Sequence, residues 1–172
     1  VVSTILVVAI VVILAATVSV FFFDVAENIN EPAPNVADTK GEFEPEASGP
    51  RQRDNQIVRI THIAGEGVAV EELEILIRAS GPDLDSSKET RLVELPATGS
   101  SLNNNNIKGE LVSPNSGRNS VIDGDDGIMW SAGQTIAFRI NTGKADFRND
   151  PNGPEANKLE VIIIHTPSNA II

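Results

Sequence analysis

Hydrophobic and polar positions divide the chain into an uncharged run, a proline-punctuated stretch and a long region of alternation. Residues 1–23 carry no charge, and their only polar side chains are Ser3, Thr4, Thr17 and Ser19. The run is apolar all round rather than along one stripe, so it predicts a helix buried on every side. As a helix it is about 35 Å long, enough to cross a bilayer core of about 30 Å. Its β-branched residues are mediocre helix formers in water. Away from water, however, the backbone must satisfy its own hydrogen bonds, and helix is favoured. Ala9, Ala16 and Ser19 fall roughly on one face and permit close helix approach. Glu31 precedes Pro32, and a residue before proline is pushed out of the α region, so the helix is predicted to end near Asn30.

Residues 31–56 read as a linker entering a first strand. Pro32, Pro34, Pro45 and Pro50 stiffen it and block helix, and Asp38 to Glu44 is predicted as a short edge strand. From Ile57 the period becomes two. Ile57, Arg59, Thr61 and Ile63 alternate with Val58, Ile60 and His62, and Leu73, Ile75 and Ile77 alternate with Glu72, Glu74 and Arg78, with Leu76 as the exception. Further strands are expected over 91–95, 107–112, 134–140 and 159–165, separated by turns rich in Gly, Pro, Asn and Asp. Val161 to Ile164 is apolar on both faces, which suits a covered central strand or one that meets a partner. The predicted fold class is α+β: a long N-terminal apolar α-helix (1–30), the linker and edge strand (31–56), and an all-β, immunoglobulin-like β-sandwich head (57–172).

Composition sharpens the division. Acidic residues outnumber basic ones 24 to 13, for a net charge of −11, and the first charge is Asp24. Nucleic-acid binding is not expected, because phosphate contacts need clustered Lys and Arg. The absence of cysteine excludes disulfides, thiolate metal sites and cysteine nucleophiles. The two histidines, His62 and His165, read as unrelated strand residues, since a zinc site would need a third ligand. Asp123 to Gly127 lacks the spacing and closing glutamate of an EF-hand, and Asp83 with Asp85 reads as a solvated turn. There is no GxSxG elbow, P-loop, HExxH helix or Asn-x-Ser/Thr sequon. The chain is therefore not expected to be an enzyme, and no catalytic, cofactor-binding or metal-ligating residue is assigned.

Three readings of the apolar run compete: a signal peptide, which would need a cationic start and a shorter core, a simple membrane anchor, and the apolar segment of a processed filament subunit. Four segments favour the last. Val8 to Val18, Ile60 to Val68 with its His62 and Gly-rich turn, Trp130 to Ile136, and Val161 to Ser168 together resemble archaeal type IV pilins, in the manner of the acidic pilins of salt-loving archaea. The resemblance implies a precursor cut by a prepilin peptidase, with Val1 as the processed N-terminus. It implies insertion in the membrane before assembly, then polymerisation of identical subunits by a membrane platform and an assembly ATPase into an extracellular filament. Filament-core packing would fall to Ile5, Leu6, Ala9, Ile10, Ile13, Leu14, Ala16, Thr17, Phe21 and Phe22. The implied role is adhesion to surfaces or other cells. An archaellin-type motility filament and a monomeric membrane-anchored binding module are the alternatives.

Overall fold

The computed structural model describes residues 32–46, 56–98, 102–112, 120–121 and 129–172. These belong to one compact unit, Ala33–Ile172, apart from Pro32. The strands are β1 (Val36–Glu44), β2 (Gln56–Gly65), β3 (Val68–Ala69), β4 (Leu73–Ser80), β5 (Lys88–Leu92), β6 (Ala97–Thr98), β7 (Ile107–Gly109), β8 (Ser120–Val121), β9 (Met129–Trp130), β10 (Thr135–Ile140), β11 (Lys158–His165) and β12 (Ala170–Ile171).

The α+β class expected from the sequence is corrected here. Among the described residues the fold is all-β, and its one helical piece is the 3-10 turn Val70–Glu72. The reason is local. The described sequence alternates with period two between turn residues and never sustains the 3.6 period a helix needs. The helix predicted over 1–30, and with it every predicted packing position from Ile5 to Phe22, lies outside the described residues. Among the described residues no helix is long and apolar enough to cross a membrane. The immunoglobulin-like arrangement is also corrected. The described residues form two five-stranded sheets, ordered β1-β2-β10-β8-β6 and β12-β11-β4-β5-β7, rather than a sheet of four and a sheet of three, and a two-stranded β3-β9 ribbon.

All pairing is antiparallel between the named strands. Alternation explains which faces turn inward. Val58 and Ile60 of β2 and Ile136, Phe138 and Ile140 of β10 meet Ile75, Ile77, Leu92 and Ile163 of the other sheet in one apolar core. Leu76 breaks the alternation because it lies on the outer face of its sheet. There it is paired with Ile162 and Arg91 and remains only 4% exposed. Around it an ionic ladder crosses three strands. Arg78 bonds Glu89 at 3.0 Å and Glu160 at 3.5 Å, and Arg91 bonds Glu74 at 2.9 Å and Glu89 at 3.3 Å. The aliphatic stems of the two arginines offer cover for the outward leucine.

Candidate functional site

Two of the segments singled out in the sequence meet in space. β3 pairs with β9, placing Val68 opposite Trp130. Trp130 is fully buried and stands edge-on to His62, with ring centroids 5.0 Å apart at 88°. His62 faces inward from β2 and is itself fully buried. Its Nε2 lies 3.0 Å from the Glu66 carbonyl oxygen. A carbonyl only accepts, so Nε2 is the donor of this bond. Among the described residues, Nδ1 has no hydrogen-bond partner. The Trp130 indole N–H donates to the Gln134 carbonyl at 3.3 Å, and Thr61 and Thr135 join their hydroxyls across β2 and β10 at 2.8 Å. The corner is therefore a packed clasp around a buried imidazole.

His165 belongs to a separate cluster at the end of β11. Its Nδ1 lies 2.7 Å from the Ser168 hydroxyl and its Nε2 lies 3.4 Å from a Glu72 carboxylate oxygen. Serine, imidazole and carboxylate in that order resemble an acyl-transfer relay. The rest of the geometry serves the turn. The Ser168 oxygen also accepts the Ala170 N–H at 3.3 Å, and Asn169 takes the left-handed φ of 53° that closes the chain back into β12. The Thr166 N–H and hydroxyl both bond the Glu72 carbonyl, at 2.8 and 3.1 Å, tying the turn to the 3-10 segment. The two histidines do not share a site. Among the described residues no three His, Cys, Asp or Glu side chains are grouped to hold a metal. Asp83 accepts the Glu155 N–H at 3.3 Å, so it acts as a loop tie, and Asp123 to Gly127 lies outside the described residues.

Sequence reasoning missed the most heavily bonded carboxylate among the described residues. Asp146 is fully buried in the loop between β10 and β11. One oxygen accepts the Arg148 backbone N–H at 3.2 Å and its Nε at 2.8 Å. The other accepts Arg148 Nη2 at 2.5 Å and the N–H groups of Asn152 and Gly153 at 2.9 and 3.1 Å. The Arg148 guanidinium, aided by these N–H donors, holds the Asp146 carboxyl down to about 2 from an ordinary 3.8, against the opposing effect of burial. Gln56 clamps the same loop from β2. Its amide donates to the Ala145 carbonyl at 2.7 Å and accepts the Phe147 N–H at 2.5 Å. Gly153 completes the loop, because a Cβ there would stand 2.0 Å from the Thr142 carbonyl oxygen. The sequence signal was an Asp two residues before an Arg, followed by Pro151 and the run Asn152-Gly153-Pro154.

Loop and strands together frame an open groove of about 950 Å³ between the sheets. Thr39, Gly41 and Phe43 of β1 form one wall, Val161 and Ile163 of β11 the other, and Val58 and Ile60 its floor. Phe147 caps one end, its ring edge-on to Phe43 at 5.2 Å. Both walls are strand edges. β1 ends its sheet, and β12 covers β11 only at Ile164 and His165, with one further bond from the Ile172 N–H to the Ile163 carbonyl. Ile171, at the rim, is 72% exposed. Its lining mixes apolar side chains with the charged residues Glu42, Arg148 and Glu155. No family model matches the chain, and neither a curated protein nor a solved structure is similar to it.

Proposed function

We propose that the chain is the structural subunit, the major pilin, of an extracellular archaeal type IV pilus that serves adhesion to surfaces or other cells. The observation that carries this reading is the division of charge. Twenty-three leading residues hold none, while all 24 acidic residues follow them. An uncharged run of that length must be covered, by lipid before assembly and by other copies of itself afterwards. Burying its large side chains at about 1.5 to 3 kcal/mol each amounts to tens of kcal/mol per subunit, which holds a polymer without covalent links. The acidic β body is the water-facing part, and it keeps such a filament soluble. On this reading a prepilin peptidase, an assembly ATPase and a membrane platform act on the chain during biogenesis, and its role is structural rather than enzymatic.

The test is electron microscopy of material sheared from the cell surface, for the wild type and for Ile10→Asp and Ile13→Asp. Filaments built of this chain are expected from the wild type. Neither variant should form them, because an unpaired charge in that apolar packing is costly. Filaments in normal yield from the variants would overturn the reading. A wild-type chain found only as a membrane-held monomer would replace it with the anchored binding module.

A further inference from the structure

The two walls of the groove match each other in hydrogen-bond phase, in side-chain face and in charge. The first is hydrogen-bond phase. The His62 N–H bonds the Gln134 carbonyl, so alternate residues of β2 turn to β10 and the others to β1. In β1 this leaves the N–H and C=O groups of Thr39, Gly41 and Phe43 aimed at the free edge. In β11 the Ile163 carbonyl takes the Ile172 N–H, which puts Leu159, Val161 and Ile163 in the same phase on the side away from β4. The second is side-chain face. The edge-directed residues on both strands are the ones facing the sandwich interior, and Lys40, Glu42, Lys158 and Glu160 all face outward. The third is charge. Set antiparallel with Gly41 opposite Leu159 and Thr39 opposite Val161, the strands bring Lys40 against Glu160 and Glu42 against Lys158. Shifting by two residues either way sets like charges opposite or breaks one of these pairs. Lys158 has no ion-pair partner among the described residues, and Lys40 meets only Glu42 of its own strand, at 2.6 Å.

The lengths agree as well. On the side away from β4, β11 lacks a neighbour over residues 158–162 among the described residues, and this register sets them opposite residues 38–42 of β1, whose pairing with β2 is regular from Thr39 onward. β1 begins and β11 ends at the same pole of the sandwich. There Gly65 of β2, opposite Val36, is joined through β3 and the 3-10 turn to Leu73 of β4, opposite His165. The two edges therefore run antiparallel on one side of the body. A twofold axis along the strands lets the contact form twice, each sheet continuing into the other sheet of the second copy.

We propose that the groove side of the body is a self-association surface, occupied by a second copy of this chain that adds its β1 to β11 and its β11 to β1 by strand pairing. Both grooves are then enclosed by each other's apolar walls. The contact is made by the body and does not depend on the apolar N-terminal run.

Because the chain has no cysteine, introduced thiols report the contact without background. In this register Lys40 and Glu160 form a non-hydrogen-bonded pair, the closer kind, within disulfide reach. The full chain carrying Lys40→Cys and Glu160→Cys, in detergent under mild oxidation, is expected to give a covalent dimer. So is the chain with Glu42→Cys and Lys158→Cys, whereas Lys40→Cys with Lys158→Cys, two residues out of register, is expected to give several-fold less. Charge reversal gives a second readout. Lys40→Glu should lower cross-linking at positions 42 and 158 about two- to fivefold, and adding Glu160→Lys should restore it. Equal yield from all cysteine pairs, or no dimer from either in-register pair, would overturn the proposal. The latter result would mean that these charges guard a free edge or that another molecule fills the groove.

Discussion

Replacing Asp146 by Asn isolates one buried carboxylate whose surroundings are fully specified. The side chain keeps its size, but the charge is lost and one of two accepting oxygens becomes an amide that cannot accept. Arg148, whose side chain is 14% exposed, is left facing it, along with the Asn152 and Gly153 N–H groups. The gap between an ordinary 3.8 and about 2 corresponds to about 2 kcal/mol of folding free energy at neutral pH. The stranded donors raise the cost of Asp146→Asn to about 2–4 kcal/mol, a large share of the roughly 5–15 kcal/mol that holds a typical domain. The folded value lies below the unfolded one, so this contribution is complete above about pH 5 and fades as pH falls towards 2. Glu42, Glu89 and Glu110 are also lowered by their Lys or Arg partners and lose those contributions as pH falls, so the informative quantity is the difference between wild type and variant. Urea unfolding of the unit Ala33–Ile172 should show the variant less stable at pH 7 and the gap closing towards pH 2. A gap of constant size, or none at pH 7, would refute the account of Asp146 as the loop's electrostatic anchor.

Gly153→Ala is expected to lower the melting temperature of the same unit by several degrees, because its Cβ would collide with the Thr142 carbonyl and move the Asp146 loop; an unchanged melt would show that the loop tolerates the shift. Trp130→Ala should cost about 3–5 kcal/mol in denaturant unfolding, since it empties a fully buried site and removes the ring against His62. If the chain polymerises as proposed, its filaments should melt at lower temperature in 0.01 M salt than in 1 M salt. The Debye length falls from about 30 Å to about 3 Å over that range, and chains of net charge −11 then cease to repel. Melting that is indifferent to salt would leave the acidity as a solubility feature alone.

The long strands were legible because alternation is a direct print of burial. β2, β4, β10 and β11 each run where period two was read, and the edge strand read at 38–44 lies within β1. Leu76 looked like an irregularity because sequence cannot show the arginine stems that accompany it on the outer face. The two-residue strands of β3 and β9 were invisible, since two residues carry no period. Gln56 was assigned to a linker, yet it is fully buried, because a polar residue whose amide finds backbone partners leaves no apolar signature. Asp146 escaped for the same reason: its partners are mostly backbone N–H groups brought round by a loop. The groove depends on which two sheet edges share a side, and only the strand order reveals that.

The clasp at Trp130 makes the molecule optically simple. Tyrosine is absent and tryptophan occurs once, so near-ultraviolet emission comes from a single indole, wholly enclosed beside an imidazole. Its colour reports the corner joining β3 to β9 and nothing at the groove, whose walls do not include it. A second copy docking at the groove is therefore spectroscopically silent, whereas loosening of the corner shifts the band to the red as water reaches the ring. One fluorimeter trace thus separates association from unfolding without any label.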